Sequence, residues 1–195
     1  MPSLTLYHEP GSSSFAALIA LHEVGAPFDL RLIRLDRRDA DPPEFRGLNP
    51  EGKVPTLLID GQPLTEVAGV LWYLARAFPA AGLLTAGDIE AEARTVSWMS
   101  FNAAALHPAR ALDKPAAQAV WQVAEHRLGS RDWAVGAYSI ADIHLFRLFW
   151  RFRGLLSLDS GTFPRLTAHR ERMLQRKAVQ AALAEDVAAG LVPLA

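Results

Sequence analysis

Three short segments carry groups that could bind a small peptide-like anion. The first is the turn Pro10-Gly11-Ser12-Ser13-Ser14, which follows a predicted strand and opens a predicted helix. The first amides of a helix are unpaired and carry roughly half a positive charge, so they stabilise an anion such as a thiolate. A serine hydroxyl directed at the sulfur would lower the pKa of the thiol further. The alternative is that a serine only caps the helix.

The second segment is Lys53-Val54-Pro55-Thr56, at the start of another predicted strand. Proline has no N–H for a sheet, so its position indicates an edge, a special turn or a cis bond. The backbone of Val54 would then be free to pair with an extended ligand in the manner of an added strand. The alternative is a proline that only begins the strand.

The third segment, Leu64-Thr65-Glu66-Val67-Ala68, lies where a short strand meets a helix. Free amides near Val67 would hold a carboxylate, and Glu66 would bind an ammonium group, which together suit the α-amino-acid end of a ligand. The alternative is that Glu66 is merely favourable with the helix dipole.

The predicted elements place these segments in one α/β domain. Apolar patterns predict four strands, at 3–7, 28–35, 54–61 and 62–64. Helices are expected over 15–24 and 66–78, and the first two strands, which flank a helix, should be parallel. This order is thioredoxin-like.

The chain changes character after about residue 86. Four amphipathic, alanine-rich segments predict helices, at 88–106, 115–129, 140–153 and 163–188. We therefore expect an α/β N-terminal thioredoxin-like domain at 1–79, a linker at 80–87 and an all-α C-terminal helical bundle domain at 88–195. Ser139 and Asp142 have capping-box spacing, and Asp142 is expected to be buried.

Composition excludes several classes of function. Lys and Arg number 20 against 21 Asp and Glu, which gives a net charge of -1 and no general attraction for nucleic acid. There is no cysteine, so a disulfide framework, a thiolate metal site and a protein thiol nucleophile are excluded. The six histidines lack metal-ligand spacing, so no metal is expected. Without a signal sequence or membrane span, the protein is expected to be cytoplasmic.

These motifs together resemble the cytosolic glutathione transferases. The resemblance lies in four segments, 6–14, 48–57, 64–66 and 139–143, and extends over nearly the whole chain. The sequence is most similar to the bacterial beta class, whose Pro-Gly-Ala-Cys-Ser turn aligns with residues 10–14. Ser13 occupies the cysteine position. The beta-class Trp-Leu-Asn-Tyr and Leu-His-Lys segments are similar to residues 98–101 and 106–108, which makes His107 the matching active-site histidine.

The resemblance implies roles for individual residues. Glutathione is the implied co-substrate, with its sulfur near Ser13 or Ser14 and its cysteinyl backbone paired to Val54 beside a cis Pro55. The implied partners of the two ends of the tripeptide are Glu66 and the Val67 amide at the γ-glutamyl end, and Lys53 and Arg37 at the glycine carboxylate. A homodimer is also implied, through faces around Val70, Tyr73 and Arg94.

The expected function is conjugation of the glutathione thiolate to small hydrophobic electrophiles, with the helical domain lining the acceptor pocket. Because Ser13 replaces cysteine, thiol exchange through a protein–glutathione disulfide should be absent. Two alternatives remain open at this point: a glutathione-dependent isomerase of the maleylacetoacetate type, and a non-catalytic glutathione-binding scaffold.

Overall fold

The structure is a computed structural model that describes residues 1–34, 42, 44–85 and 87–191. It divides into two compact units. The first comprises residues 1–81 together with the segment that begins at Ala178, and the second comprises residues 82–177. The final helix is therefore grouped with the first unit, whereas the sequence led us to expect it in a helical domain running from 88 to 195.

The first unit contains a four-stranded sheet flanked by helices. Its elements are β1 (Leu4–His8), α1 (Ser14–Val24), β2 (Asp29–Leu32), α2 (Phe45–Leu48), β3 (Thr56–Ile59), β4 (Gln62–Thr65), α3 (Val67–Ala77), a 3-10 turn (Pro79–Ala81) and α8 (Lys177–Ala188). The strand order is β2-β1-β3-β4, with β1 and β2 parallel and the other pairs antiparallel. The thioredoxin-like fold class and the parallel first pair are confirmed. Strand β2 is shorter than the 28–35 that was expected.

Tyr7 on β1 packs into a small apolar cluster. Its ring centroid lies 5.0 Å from that of Phe45, and only 3% of the residue is exposed. Ile33 and Val54 complete the buried part of this cluster. Tyr7 is therefore a packed strand residue.

The inner face of α3 is used within its own chain. Val70, Leu71 and Leu74 on this face are fully buried. Val70 itself is therefore covered by its own chain, and a homodimer through the faces around Val70, Tyr73 and Arg94 stays a prediction. Tyr73 and Arg94 remain partly or largely exposed.

The second unit is all-helical. Its elements are α4 (Ile89–Phe101), a π-helical turn (Asn102–Leu106), a 3-10 turn (Pro108–Ala111), α5 (Lys114–Leu128), α6 (Ile140–Leu156) and α7 (Pro164–Leu174). A single apolar cluster forms its core, with Trp121 and Phe149 among the buried aromatic residues. The prediction of one helix over 163–188 was wrong. Gln175 and Arg176 donate to carbonyls three residues back, at 3.2 and 3.1 Å, and this tighter turn ends α7 before α8 begins.

Helix α6 begins with the predicted capping box. The Asp142 carboxylate accepts from the Ser139 amide at 2.9 Å, and the Ser139 hydroxyl accepts from the helix backbone. Asp142 is fully buried and also bonds the Ala134 amide at 2.7 Å and His169 Nε2 at 3.0 Å. The Asp142 carboxylate thus forms hydrogen bonds with groups from a helix start, from a loop and from the more distant helix α7.

We expect Asp142→Ala to lower the free energy of unfolding by about 3 kcal/mol, because the buried amides of Ala134 and Ser139 lose their acceptor. Urea denaturation followed by circular dichroism measures the change. The matched control is Asp113→Ala, which removes an exposed cap that accepts from the Ala116 amide at 2.9 Å. That cap should cost about 1 kcal/mol. Equal losses in the two variants would contradict the special role of Asp142.

Candidate active site

Strand register brings the three sequence segments to one end of the sheet. Tyr7 on β1 pairs with Thr56 on β3, and Thr56 pairs with Thr65 on β4. At the sheet end marked by these three paired residues, β1 runs out towards the Ser12–Ser14 turn. At the same end, Val54 and Pro55 lead into β3, and β4 runs out towards Glu66. The three segments are therefore neighbours at one sheet end, within the first unit.

Ser13 supplies unpaired donors at the N-terminus of α1. Gly11, with φ of 72°, lets the chain turn sharply before the helix. The Ser13 carbonyl accepts from the Ala16 amide at 3.3 Å. Its side chain does not cap the helix, and within the described part of the chain neither its amide nor its hydroxyl has a hydrogen-bond partner. A half-exposed N–H and O–H at a helix start form a favourable place for an anion.

The Ser14 hydroxyl, in contrast, is already hydrogen-bonded within the protein. It is fully buried, and its hydroxyl lies 2.8 Å from His8 Nδ1 and 2.7 Å from the Ser12 hydroxyl, and accepts from the Glu9 amide at 3.2 Å. The expectation that Ser14 could face a ligand sulfur therefore does not fit the structure, because its hydroxyl is directed inwards and is already saturated. Of the two predicted serines, Ser13 is the one with donors available.

The segment before β3 is held by a buried amide. The Val54–Pro55 bond is cis, as the resemblance implied. Asn49 Nδ2 donates to the Lys53 carbonyl at 2.8 Å and to Thr56 Oγ1 at 2.9 Å. These two hydrogen bonds hold the chain on both sides of Val54 and Pro55. The Val54 N–H and C=O have no partner among the described residues. An extended ligand could therefore pair with both of them.

Glu66 has an unusual backbone at the start of α3. Its φ is 67° and its ψ is 131°, a region costly for a residue other than glycine, by roughly 1–3 kcal/mol. Its exposed carboxylate makes no hydrogen bond or ion pair within the described residues. Val67 follows as the first helical residue, and its N–H is one of the unpaired helix-start amides. A carboxylate and a free amide thus lie side by side.

Of the two predicted cations, Lys53 and Arg37, the structure describes Lys53. Lys53 is largely exposed and pairs with Glu51 at 2.8 Å; the hydrogen bond to Glu51 raises the pKa of the lysine. Its ammonium can exchange this partner for a ligand carboxylate. Arg37 lies outside the described residues.

His107 belongs to the second unit, between the π-helical and 3-10 turns. Its ring stacks on Phe152, with centroids 6.0 Å apart and planes at 17°. Burial, together with the nearby Arg147 and Arg110 guanidinium groups, lowers the pKa of His107 to about 4. The imidazole is therefore neutral near pH 7, able to donate one hydrogen bond and accept another.

Among the described residues, no group of histidine, aspartate and glutamate side chains has the geometry of a metal site. In the same part of the chain, no helix has the length and apolar character needed to cross a membrane.

Family models match both halves of the chain. Residues 12–77 match the glutathione S-transferase N-terminal domain, and residues 102–177 match the glutathione S-transferase C-terminal domain. Glutathione S-transferase GstA of Escherichia coli O157:H7 is 31% identical, over 94% of this chain and 98% of its own.

Two solved structures are also similar. A sphingomonad glutathione S-transferase complexed with glutathione superposes with a TM-score of 0.84 at 32% identity, covering 94% of this chain and 98% of its own. The bacterial beta class glutathione S-transferase of Sphingomonas chungbukensis has the same TM-score and identity, over 96% of this chain and 100% of its own. The chain therefore belongs to the glutathione S-transferase family, and it is a transferase.

Sequence reasoning missed one set of residues at this site. His8, at the end of β1, bonds Asp186 of α8 at 2.7 Å, and the two are 178 residues apart. No local pattern identifies such a pair, because the contact exists only once α8 packs against the turn. Asn49 was noticed only as part of a motif, although its buried side chain holds the Val54 segment in place.

We expect the His107 ring to titrate near pH 4 in nuclear magnetic resonance spectra of the folded protein, because burial and two arginines disfavour the imidazolium. The unfolded chain protonates near the ordinary value of 6.5. Below that value the unfolded state binds the extra proton, so the contribution of His107 to stability falls as the pH drops from 6.5 towards 4. A midpoint above 6 would contradict this environment; His107→Gln identifies the resonance.

Proposed function

We propose that this transferase binds glutathione in its first unit and conjugates the glutathione thiolate to small hydrophobic electrophiles. The observation that carries the proposal is the unpaired amide and hydroxyl of Ser13 at the start of the 11-residue helix α1. A thiolate there would receive two hydrogen bonds and the favourable end of the helix dipole. In the similar sphingomonad enzyme, glutathione is the bound ligand.

The rest of the first unit supports binding of a γ-glutamyl tripeptide in one orientation. The unpaired backbone of Val54, beside cis Pro55, suits the cysteinyl residue. The Glu66 carboxylate suits the α-ammonium, and the Val67 amide suits the α-carboxylate. Lys53 is the proposed cation for the glycine carboxylate, and Arg37 stays a prediction for the same role.

Turnover then needs the thiol to lose its proton and a carbon–sulfur bond to replace the bond between carbon and the leaving group. The bound thiol loses its proton, and the thiolate attacks an electrophilic carbon while a leaving group departs with the bonding electrons. Ser13 acts as a hydrogen-bond donor throughout and forms no covalent intermediate. The protein contributes positioning and control of the thiol pKa. We propose His107 as a further site residue, which as a neutral imidazole would offer a hydrogen bond during the reaction.

Ser13→Ala should raise the pKa of the bound thiol by about one unit and lower kcat/KM about tenfold near neutral pH, since one charge-assisted donor is lost. The dissociation constant for glutathione should change little, because the backbone contacts remain. The ultraviolet absorbance of the bound thiolate, titrated against pH, measures the first effect, and a conjugation assay with an aryl halide measures the second.

The control for this experiment is Glu66→Gln, which should weaken glutathione binding without moving the thiol pKa. An unchanged pKa in Ser13→Ala would remove Ser13 from the proposed role. Binding without thiolate absorbance in the wild-type protein would favour the scaffold alternative. Conversion of a maleyl substrate to its fumaryl isomer, with no conjugate formed, would favour the isomerase alternative.

Ser13→Cys should create an activity that the natural chain lacks. A cysteine thiolate at this helix start would attack glutathione disulfide, form a protein–glutathione disulfide and release one glutathione thiolate. Intact-mass spectrometry should then show one glutathione adduct, reversed by a reducing agent. The wild-type protein is the internal control because it has no cysteine. Absence of an adduct would place Ser13 away from the sulfur of bound glutathione.

A further inference from the structure

A continuous chain of hydrogen bonds runs inwards from the opening turn. The half-exposed Ser12 hydroxyl lies 2.7 Å from the Ser14 hydroxyl, which lies 2.8 Å from His8 Nδ1. His8 Nε2 lies 2.7 Å from Asp186 Oδ1. His8, Ser14 and Asp186 are fully buried, so they exchange protons mainly with one another and with Ser12.

Backbone amides occupy one acceptor position on each serine hydroxyl, and Ser14 Oγ also lies 3.4 Å from the Glu9 carbonyl. The Glu9 amide donates to Ser14 Oγ, and the Ser14 amide donates to Ser12 Oγ, each at 3.2 Å. Asp186 holds its place because its second oxygen accepts from the Gly11 amide at 2.8 Å. With an ionised Asp186, His8 donates from Nε2, and its Nδ1 is then an acceptor for the Ser14 proton. Ser14 in turn accepts from Ser12.

From this geometry we propose that Ser12, Ser14, His8 and Asp186 form a relay that takes up the thiol proton of bound glutathione. The thiol proton passes to Ser12 Oγ, the Ser12 proton passes to Ser14, and the Ser14 proton passes to His8 Nδ1. The products are a thiolate and a His8 imidazolium paired with Asp186, so no proton leaves the protein. His8 and Asp186 are positioning residues, because they act through the serines. The relay rests on the proposed function.

The surroundings of His8 favour this charge distribution. Strand β2 places Leu32 opposite it, α1 contributes the uncharged Ser14, and α8 contributes Asp186. Of the carboxylates in the described part of the chain, Asp186 is the one that hydrogen-bonds to His8. Glu9, next in sequence, offers its backbone to Ser14 and is half-buried. A buried imidazolium next to a buried aspartate is a paired charge.

The first test observes the His8 ring directly. Nitrogen-15 resonances of the histidine rings distinguish the Nε2–H tautomer, the Nδ1–H tautomer and the imidazolium, and His8→Gln assigns the signal. If His8 accepts from Ser14 as proposed, the ring in the free protein should show the Nε2–H tautomer. Glutathione should convert it to imidazolium, whereas S-methylglutathione, which binds but has no thiol proton, should leave it unchanged. An unchanged ring with bound, ionised glutathione would overturn the relay.

The second test uses Asp186→Asn, which keeps the size of the side chain. The amide oxygen can still accept from Gly11, but the amide nitrogen donates to His8 Nε2 and forces the proton to Nδ1, where it blocks the relay. The thiolate midpoint of bound glutathione should rise by about one pH unit, and affinity for S-methylglutathione should stay within about twofold of wild type. The matched control is Glu185→Gln, on the same helix, whose carboxylate lies 3.1 Å from His22 Nε2.

The outcomes separate the relay from the proposed function. If neither Asp186→Asn nor Glu185→Gln changes the pH midpoint of thiolate formation while bound glutathione still ionises, the relay is wrong and the conjugation proposal stands. If the wild-type protein takes up no glutathione, the proposed function fails first. If Asp186→Asn does not fold, the ring measurement on the wild-type protein still decides the matter.

Discussion

The turn at the start of α1 depends on one buried carboxylate. Asp186 comes from the last helix of the first unit, and its two oxygens hold the Gly11 amide and the His8 ring. A carboxylate without water must find partners, because an unpaired buried charge costs several kcal/mol. The hydrogen bonds of Asp186 therefore hold the turn, in which the amide and hydroxyl of Ser13 have no partner among the described residues.

Both units contain a buried aspartate that binds a helix-start segment and a histidine. In the second unit, fully buried Asp142 bonds His169 and the amides of Ala134 and Ser139 at the start of α6. Each aspartate binds a helix-start segment and a histidine ring; Asp186 is distant in sequence from both of its partners, and Asp142 is 27 residues from His169. Such pairs add little net stability over an apolar replacement, yet losing one partner is costly. We interpret them as fixing geometry, which matters most where a helix start must bind an anion.

The sequence predicts local chemistry better than long-range partners. The four strands, the capping box at Ser139 and the cis bond before Pro55 follow from spacing, residue type or family resemblance, and each is found in the structure. Whether Ser13 or Ser14 has its hydroxyl available could not be predicted, because it depends on the contact between Ser14 and His8. The break after α7 was missed because residues 163–188 continue in helical composition through Gln175 and Arg176.

Under the proposed function, with Ser13 at the position that the family resemblance gives to cysteine, a proton must leave the ligand and not the protein. A helix start favours a thiolate whether the sulfur belongs to the protein or to a ligand. A protein cysteine can already be ionised before the substrate arrives, but a ligand thiol brings its proton into the site. His107 is a poor acceptor, since burial and its arginine neighbours hold its pKa near 4. A serine turn therefore needs another base within reach, and His8 is linked to that turn by two hydroxyl groups.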